Sequence, residues 1–278
     1  MKLYKYYSYT GGLAAIDSRQ YGFTEPNQFN DPFEITYLLD STNADSFLPV
    51  IRAIKDLKTR VCILCLTKSP INPLMWAHYG ESHKGFVVEY DVDDEFLTST
   101  RYNIVPVQNG AVTYKSKDQC ISFPDFKFDD FHQVFLRACG SDGDEINSYS
   151  KLIEYLYLTK SRIWDYEDEV RVVKLVDSLF EETHVFLDDP MRSYKILTKP
   201  IEDKIGYESE KKPGLKLFDR HQAKIESIYI GVNNSLLKNE INLRKKISTW
   251  KSQGIKNIFQ VKPNLLSWSL HPVSLDSL

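Results

Sequence analysis

Short apolar runs alternate along this chain with polar, turn-rich stretches, and the period of each run predicts its element. Leu3 to Tyr7 reads as a strand. Gly11-Gly12 then opens a short helix with Leu13, Ile16 and neighbouring alanines on one face. Tyr21 to Thr24 is a short extended piece. Asn27 to Pro32, dense in Asn, Asp and Pro, is a turn. Phe47, Ile51, Ile54 and Leu57 recur at helical spacing over Ala44 to Lys58. Arg60 to Thr67 (RVCILCLT) and Gly85 to Asp91 (GFVVEYD) are nearly continuous apolar runs. They predict two neighbouring central strands, each covered on both faces. Pro73 suits the first turn of a short helix reaching Tyr79.

In the second half, Asn103 to Val107 and Ala111 to Tyr114 predict a hairpin around Asn109-Gly110. A long helix is expected from Glu145 to Ile163, closed by Trp164. Glu169 to Val176 (EVRVVKLV) alternates polar and apolar, the pattern of a half-exposed strand. Leu179 to Leu217 is polar and irregular. Ile225 to Gly231 reads as a strand, Ser235 to Gln253 as a helix ended by Gly254, and Asn257 to Val261 and Leu266 to Leu270 as closing strands. Strands outnumber helices and hairpins are present. The fold class is therefore α+β: one domain over 1–278, with a mixed, mostly antiparallel sheet flanked by helices. The strand–helix–strand unit 225–278 is expected to pack on the rest.

Composition narrows the function classes. The 278 residues are 42% hydrophobic and 26% charged, ordinary values for a globular protein. A net charge of −3 removes the whole-chain footprint of a dedicated nucleic-acid binder, while leaving a local basic groove open. No apolar run approaches the ~20 residues that span a bilayer, and MKLYKYYSYTGG lacks the apolar stretch of a secretory signal. A cytoplasmic protein without a membrane partner is expected. The four cysteines read as reduced thiols. Cys62 and Cys65 lie in an apolar strand whose side chains alternate faces, so they read as core rather than as a metal knuckle. GxxxxGK[ST], GxGxxG, GxSxG and HExxH are all missing, and no metal is predicted.

Three clusters carry candidate chemistry. In Phe29-Asn-Asp-Pro-Phe-Glu34, Asn30 and Asp31 either build an Asx turn or stand with Glu34 at a pocket rim. Trp76-Ala-His-Tyr-Gly-Glu-Ser-His-Lys-Gly85 offers an indole, two imidazoles and a phenol between a helix and a core strand. Trp76 and Tyr79 share a helix face, and His78 points elsewhere. In Lys160 to Arg171, Glu167 and Glu169 are two apart in an expected extended chain and share a face that Arg171 continues. They form either a solvated edge with an ion pair, or a carboxylate pair able to hold a sugar hydroxyl and oppose positive charge on a ribose ring.

In this order and spacing the clusters resemble a bacterial family, domain-of-unknown-function family 2971. The resemblance rests on LYKYYS, FNDPFE, a CLT segment, MWAHYGESHKGFVVEYD and K…IWDYEDEVRVV, and spans residues 3–232. A looser resemblance is to the ADP-ribosyltransferases. It implies a split sheet holding NAD in its cleft, with Glu169 as the catalytic glutamate and Glu167 as its upstream partner. Thr67 or Ser69 would end the middle strand, and Tyr4, Lys5 and Tyr6 would take the first-strand position, where this chain has no His or Arg. With Asn30, Asp31, Trp76, His78, Tyr79 and Arg171 these form the expected cleft. The implied activity is an NAD-dependent ADP-ribosyltransferase or NAD glycohydrolase, a toxin or phage-defence effector. Its partners would be a nucleotide and a protein or nucleic-acid acceptor. Two other readings stay open at this point. One is a non-catalytic nucleotide- or partner-binding module of a defence or stress system. The other is a metal-dependent nuclease or hydrolase using Asp31, Glu34, His78 and Glu169.

Overall fold

The structure, a computed structural model, describes residues 1–35, 58, 61–100, 103–116, 154–175, 184–188, 193–197, 207–212, 214–218 and 221–276. Its elements are β1 (Lys2–Tyr7), α1 (Tyr9–Ser18), β2 (Phe23–Thr24), β3 (Val61–Thr67), α2 (Pro73–His78), β4 (Phe86–Asp91), α3 (Glu95–Thr98), β5 (Thr113–Lys115), β6 (Thr159–Ser161), β7 (Glu169–Leu175), β8 (His184–Asp188), β9 (Ser193–Leu197), β10 (Tyr207–Lys212), β11 (Leu215–Phe218), β12 (Lys224–Ile230), α4 (Glu240–Ser252), β13 (Asn257–Asn264) and β14 (Ser269–Ser274). The class is α+β. One sheet runs β10-β11-β2-β3-β1-β4-β12-β13-β14, with β7 added on β3. Among its described pairings only β12–β13 is parallel. The C-terminal unit is thus built into the same sheet as the first strand.

The two apolar runs are strands buried on both faces, but they are not neighbours. β1 lies between them, paired antiparallel to β4 along its whole length from Lys2↔Asp91 to Tyr7↔Phe86. Apolar content shows that a strand is central; it carries no information about which strand sits beside it. β3 has more partners than one strand's two edges can take in full. β7 pairs with it from Val61↔Leu175 to Thr67↔Glu169. On the other edge β2 meets it at Thr24↔Ile63 and β1 at Tyr4↔Thr67. Between those two points no described strand pairs with Leu64, Cys65 or Leu66 on that side, so the sheet opens into a seam.

Local chemistry sets the elements flanking the seam. Ser8 caps α1 by accepting the Gly11 N–H at 3.2 Å. Asn72 caps α2, its Oδ1 accepting from Leu74 N–H at 2.9 Å and Met75 N–H at 3.3 Å, with Pro73 in the first turn. Leu3, Val88, Leu64, Val172 and Ile228 belong to the main apolar core, which takes in Trp250 of α4. Tyr6, Met75, Trp76, Val87, Tyr229 and Val261 form a second cluster.

Several expectations are corrected. Residues 103–114 form no hairpin. Val107–Asn109 is a 3-10 turn, and Val105 and Ala111 each bridge to β7, at Val173 and Val170. Gly110 serves a close backbone approach: its carbonyl accepts the Arg171 N–H at 2.8 Å, and a Cβ there would lie 1.9 Å from the Arg171 carbonyl oxygen. The helix expected to reach Ile163 ends by Tyr157. β6 then pairs in parallel with β5, and Arg162–Glu167, which includes Trp164, is a 3-10 turn. β7 is not half-exposed but buried from Glu169 to Lys174: Val170 and Val172 face the main apolar core, and Glu169 and Arg171 on the other face meet Glu34, Tyr157 and Lys160. Within the stretch read as irregular, β8–β9 and β10–β11 are antiparallel pairs. The last strand begins at Ser269, not Leu266. The Ala44 to Lys58 helix and the start of the 145–163 helix lie outside the described residues, Lys58 apart.

Candidate functional site: a cleft in the sheet seam

The seam opens into a cleft of about 370 Å³, within the range of small-molecule sites. Tyr4, Lys5 and Tyr6 of β1 form one wall and Cys65, Leu66 and Thr67 of β3 the floor. Phe29, Asn30 and Glu34 line it from the Asn-Asp-Pro turn, Met75, His78 and Tyr79 from α2 and its end, and Lys160, Glu167, Glu169 and Arg171 from β6 to β7.

Its buried end is a charge network. Arg171 clamps Glu169 with Nε and Nη2, both at 2.9 Å. The same Nη2 reaches Glu34 Oε1 at 2.7 Å, and Nη1 donates to the Tyr157 carbonyl at 2.8 Å. Lys160 Nζ stands 2.6 Å from Glu167, 3.0 Å from Glu34 and 3.5 Å from Glu169. Two cations thus face three carboxylates, all inside the protein. Burial alone would raise the Glu169 carboxyl, but Arg171 and Lys160 beside it pull it down to about 2. The Glu167 carboxyl goes the other way: burial raises it, and Lys160 only partly offsets that. The same carboxylates hold the Lys160 ammonium above its ordinary value despite burial. Glu34 Oε2 is buried and has no hydrogen-bond partner among the described residues.

Glu167 is aimed by its neighbours. Tyr79 donates its hydroxyl to Oε1 at 2.5 Å, and Asn30 Nδ2 donates to the Tyr79 oxygen at 3.3 Å. The Glu167 carbonyl accepts from Thr67 Oγ1 at 2.6 Å. Asn72 Nδ2 donates to the Tyr166 carbonyl at 2.7 Å, tying the cap of α2 to the turn that carries Glu167. Asp168 follows with φ at 42°, so the chain turns sharply before β7 begins. The extended run expected from Glu167 to Arg171 therefore starts only at Glu169. Both carboxylates still reach the cleft, through a turn rather than through strand alternation. On the opposite wall Lys5 spans the seam, its Nζ donating to the Cys65 carbonyl at 3.1 Å.

Of the residues singled out in the sequence, the cleft collects Tyr4, Lys5, Tyr6, Asn30, Glu34, Thr67, His78, Tyr79, Glu167, Glu169 and Arg171. Three are placed elsewhere. Trp76 is fully buried in the second apolar cluster, its Nε1 bonded to the Pro70 carbonyl at 2.9 Å. Asp31 closes an Asx turn, accepting the Phe33 N–H at 2.9 Å. Ser69 offers its carbonyl to the Tyr6 hydroxyl at 3.0 Å. Lys160 and Phe29 were not singled out. For Lys160 the signal is chemical: a buried glutamate pair needs more cation than Arg171 alone supplies. Among the described residues no group of three or more His, Cys, Asp or Glu side chains is arranged to hold a metal ion, and no helix is long and apolar enough to cross a membrane.

The fold and site define an α+β protein with a charged cleft in an opened sheet. A family model described as protein of unknown function (DUF2971) matches residues 75–172, supporting the resemblance to that family. The matched segment carries His78, Tyr79, Lys160, Glu167, Glu169 and Arg171, one side of the cleft. No curated protein and no solved structure matches the chain.

Proposed function

We propose that the cleft binds NAD and catalyses transfer of its ADP-ribosyl group, to water or to an acceptor hydroxyl. The observation that carries this reading is the pair Glu167 and Glu169, opening into one seam with Tyr4, Lys5 and Tyr6 and having carboxyl pKa values pushed in opposite directions. A carboxylate pair separated in this way divides its labour. Glu169, ionised at every working pH, joins Glu34 in opposing the positive charge that develops on the ribose as nicotinamide leaves with the electron pair of the broken C–N bond. Glu167, the more basic of the two, accepts the proton of the attacking hydroxyl as the new C–O bond forms. Lys5, whose Nζ donates to the Cys65 carbonyl rather than to a carboxylate, faces the diphosphate; burial lowers its pKa, and the diphosphate charge holds the proton on it. Aromatic rings at Phe29 and Tyr79 supply stacking surface. An effector role in toxicity or phage defence belongs to the same reading.

The test is release of free nicotinamide from NAD. Wild-type protein should release it, and Glu167→Gln should slow release about 10²–10⁴-fold, the usual contribution of a general base. Wild-type protein that binds NAD without releasing nicotinamide would favour a second reading, a non-catalytic nucleotide-binding module. One observation supports that alternative: Glu169 has both oxygens engaged by Arg171.

A further inference from the structure

The β13–β14 hairpin carries a feature that the cleft does not use. β12 pairs with β13 only from Ser227↔Asn257 to Ile230↔Gln260. β13 and β14 continue past that point, paired with each other up to Asn264↔Ser269. The base of this ribbon is anchored, with Val261 and Leu270 in the second apolar cluster. The tip is not: Leu265 is 84% exposed, Leu266 97% and Trp268 94%. These are the three most exposed large apolar side chains among the described residues. The turn is nevertheless well built. Asn264 Oδ1 accepts the Leu266 N–H at 3.0 Å, and the Ser267 and Ser269 hydroxyls are 2.7 Å apart. Trp268 sits at φ 52°, a backbone position that favours Gly or Asn and strains a bulky residue. A tryptophan held there, pointing into solvent, has no folding rationale.

The charge around the tip indicates what would cover it. From Asn257 to Leu275 the hairpin contains no Asp or Glu. Directly behind the tip, Lys262 and His271 are cross-strand partners and both are exposed. Two leucines and an indole in front of Lys262, on a hairpin free of carboxylates, match an anionic lipid surface: apolar side chains enter the acyl boundary, the indole sits at the headgroup level, and the Lys262 ammonium meets phosphate and carboxylate. We propose that this hairpin tip docks the protein on the surface of an anionic bilayer. The absence of a spanning run, on which the expectation of no membrane partner rests, does not bear on a contact of this kind.

The experiment is co-sedimentation with vesicles of phosphatidylcholine alone and of phosphatidylcholine with phosphatidylserine. Wild-type protein should partition onto the phosphatidylserine vesicles and be released by high salt. The triple variant Leu265→Ser, Leu266→Ser, Trp268→Ser should melt as wild type does, because the replaced side chains are exposed. Its partitioning should fall about tenfold or more, the effect of losing even one buried leucine. Lys262→Glu should weaken binding on phosphatidylserine vesicles and change little on phosphatidylcholine. Trp268→Phe should keep most of the binding and lose the blue shift of tryptophan emission on mixing. Wild-type protein that stays in the supernatant with both vesicles overturns the proposal. Equal partitioning of the triple variant does so too, and a self-association lost in that variant would assign the tip to a second copy of the chain.

Discussion

Tyr79 donates its hydroxyl hydrogen to Glu167 at 2.5 Å across 88 residues of chain. The contact joins the end of α2 to the turn before β7, and it holds down a carboxyl that burial pushes up. Tyr79→Phe removes that donor, together with the oxygen that accepts from Asn30 Nδ2. In the proposed reaction Glu167 works as a base above its pKa, so the acidic limb of the kcat/KM profile for NAD should move to higher pH. The fold should lose no more than the ~1.5–3 kcal/mol typical of a hydrogen bond to a charged group, readable from urea midpoints. An unmoved limb with retained turnover would detach Tyr79 from the chemistry.

Glu169→Gln is expected to act on stability first. It removes the charge that clamps Arg171, which is fully buried, and leaves Glu34 as the carboxylate in contact with it. Breaking a buried pair from one side costs about 3–5 kcal/mol. The variant should therefore show a large drop in Tm, where a surface ion pair would lose almost nothing. The pH sense follows from the depressed folded pKa. Stability from Glu169 is present above its unfolded pKa of ~4.3 and is lost as pH falls toward about 2. Glu167→Gln keeps one of the two acceptor oxygens that Tyr79 and Lys160 use and leaves the Arg171 clamp on Glu169 in place, so it is the cleaner probe of turnover.

Lys174 lies on the other face of β7. It is fully buried, donating to the Phe96 carbonyl and to Asn103 Oδ1 at 2.7 Å, with its ammonium 3.6 Å from the Phe96 ring centre. Burial lowers its pKa to about 7, against ~10.4 in the unfolded chain. Between those values the unfolded state binds more protons, so stability rises with pH across the window. Lys174→Met should flatten that rise in denaturation midpoints taken from pH 6 to 10. A rise of unchanged slope would place its origin elsewhere.

Asp31→Ala should lower stability by about 0.5–2 kcal/mol through loss of the Asx bond to Phe33. NAD binding, read by calorimetry at a temperature where the variant is folded, should remain close to wild type. Lost binding with an unchanged melting curve would move Asp31 into the site.

The sequence by itself determined the elements whose signals are local. β1, β3, α2, β4, β12 and α4 follow from hydrophobic runs, caps and breakers within a few residues of each other, such as Pro73, the Asn-Asp-Pro turn and Gly254. The three charged and aromatic clusters were legible for the same reason, because unusual residue types stand close together in the chain. Pairing is different. Which strand lies beside β3 depends on edges that compete for the same backbone donors, so β1, not β4, became its neighbour, and Asn109-Gly110 packed onto β7 rather than folding a hairpin. Burial of Glu169, Arg171 and Lys174 was illegible because an alternating polar pattern looks the same whether its polar face meets water or meets opposite charges. Lys160 and Arg171 lie close to the glutamate pair in the chain, but Glu34 is 137 residues from Arg171, and nothing local says that all of them turn inward together. Only tertiary structure brought them onto one glutamate pair, since the Coulomb attraction and desolvation that fix their roles act through space and leave no period in the sequence.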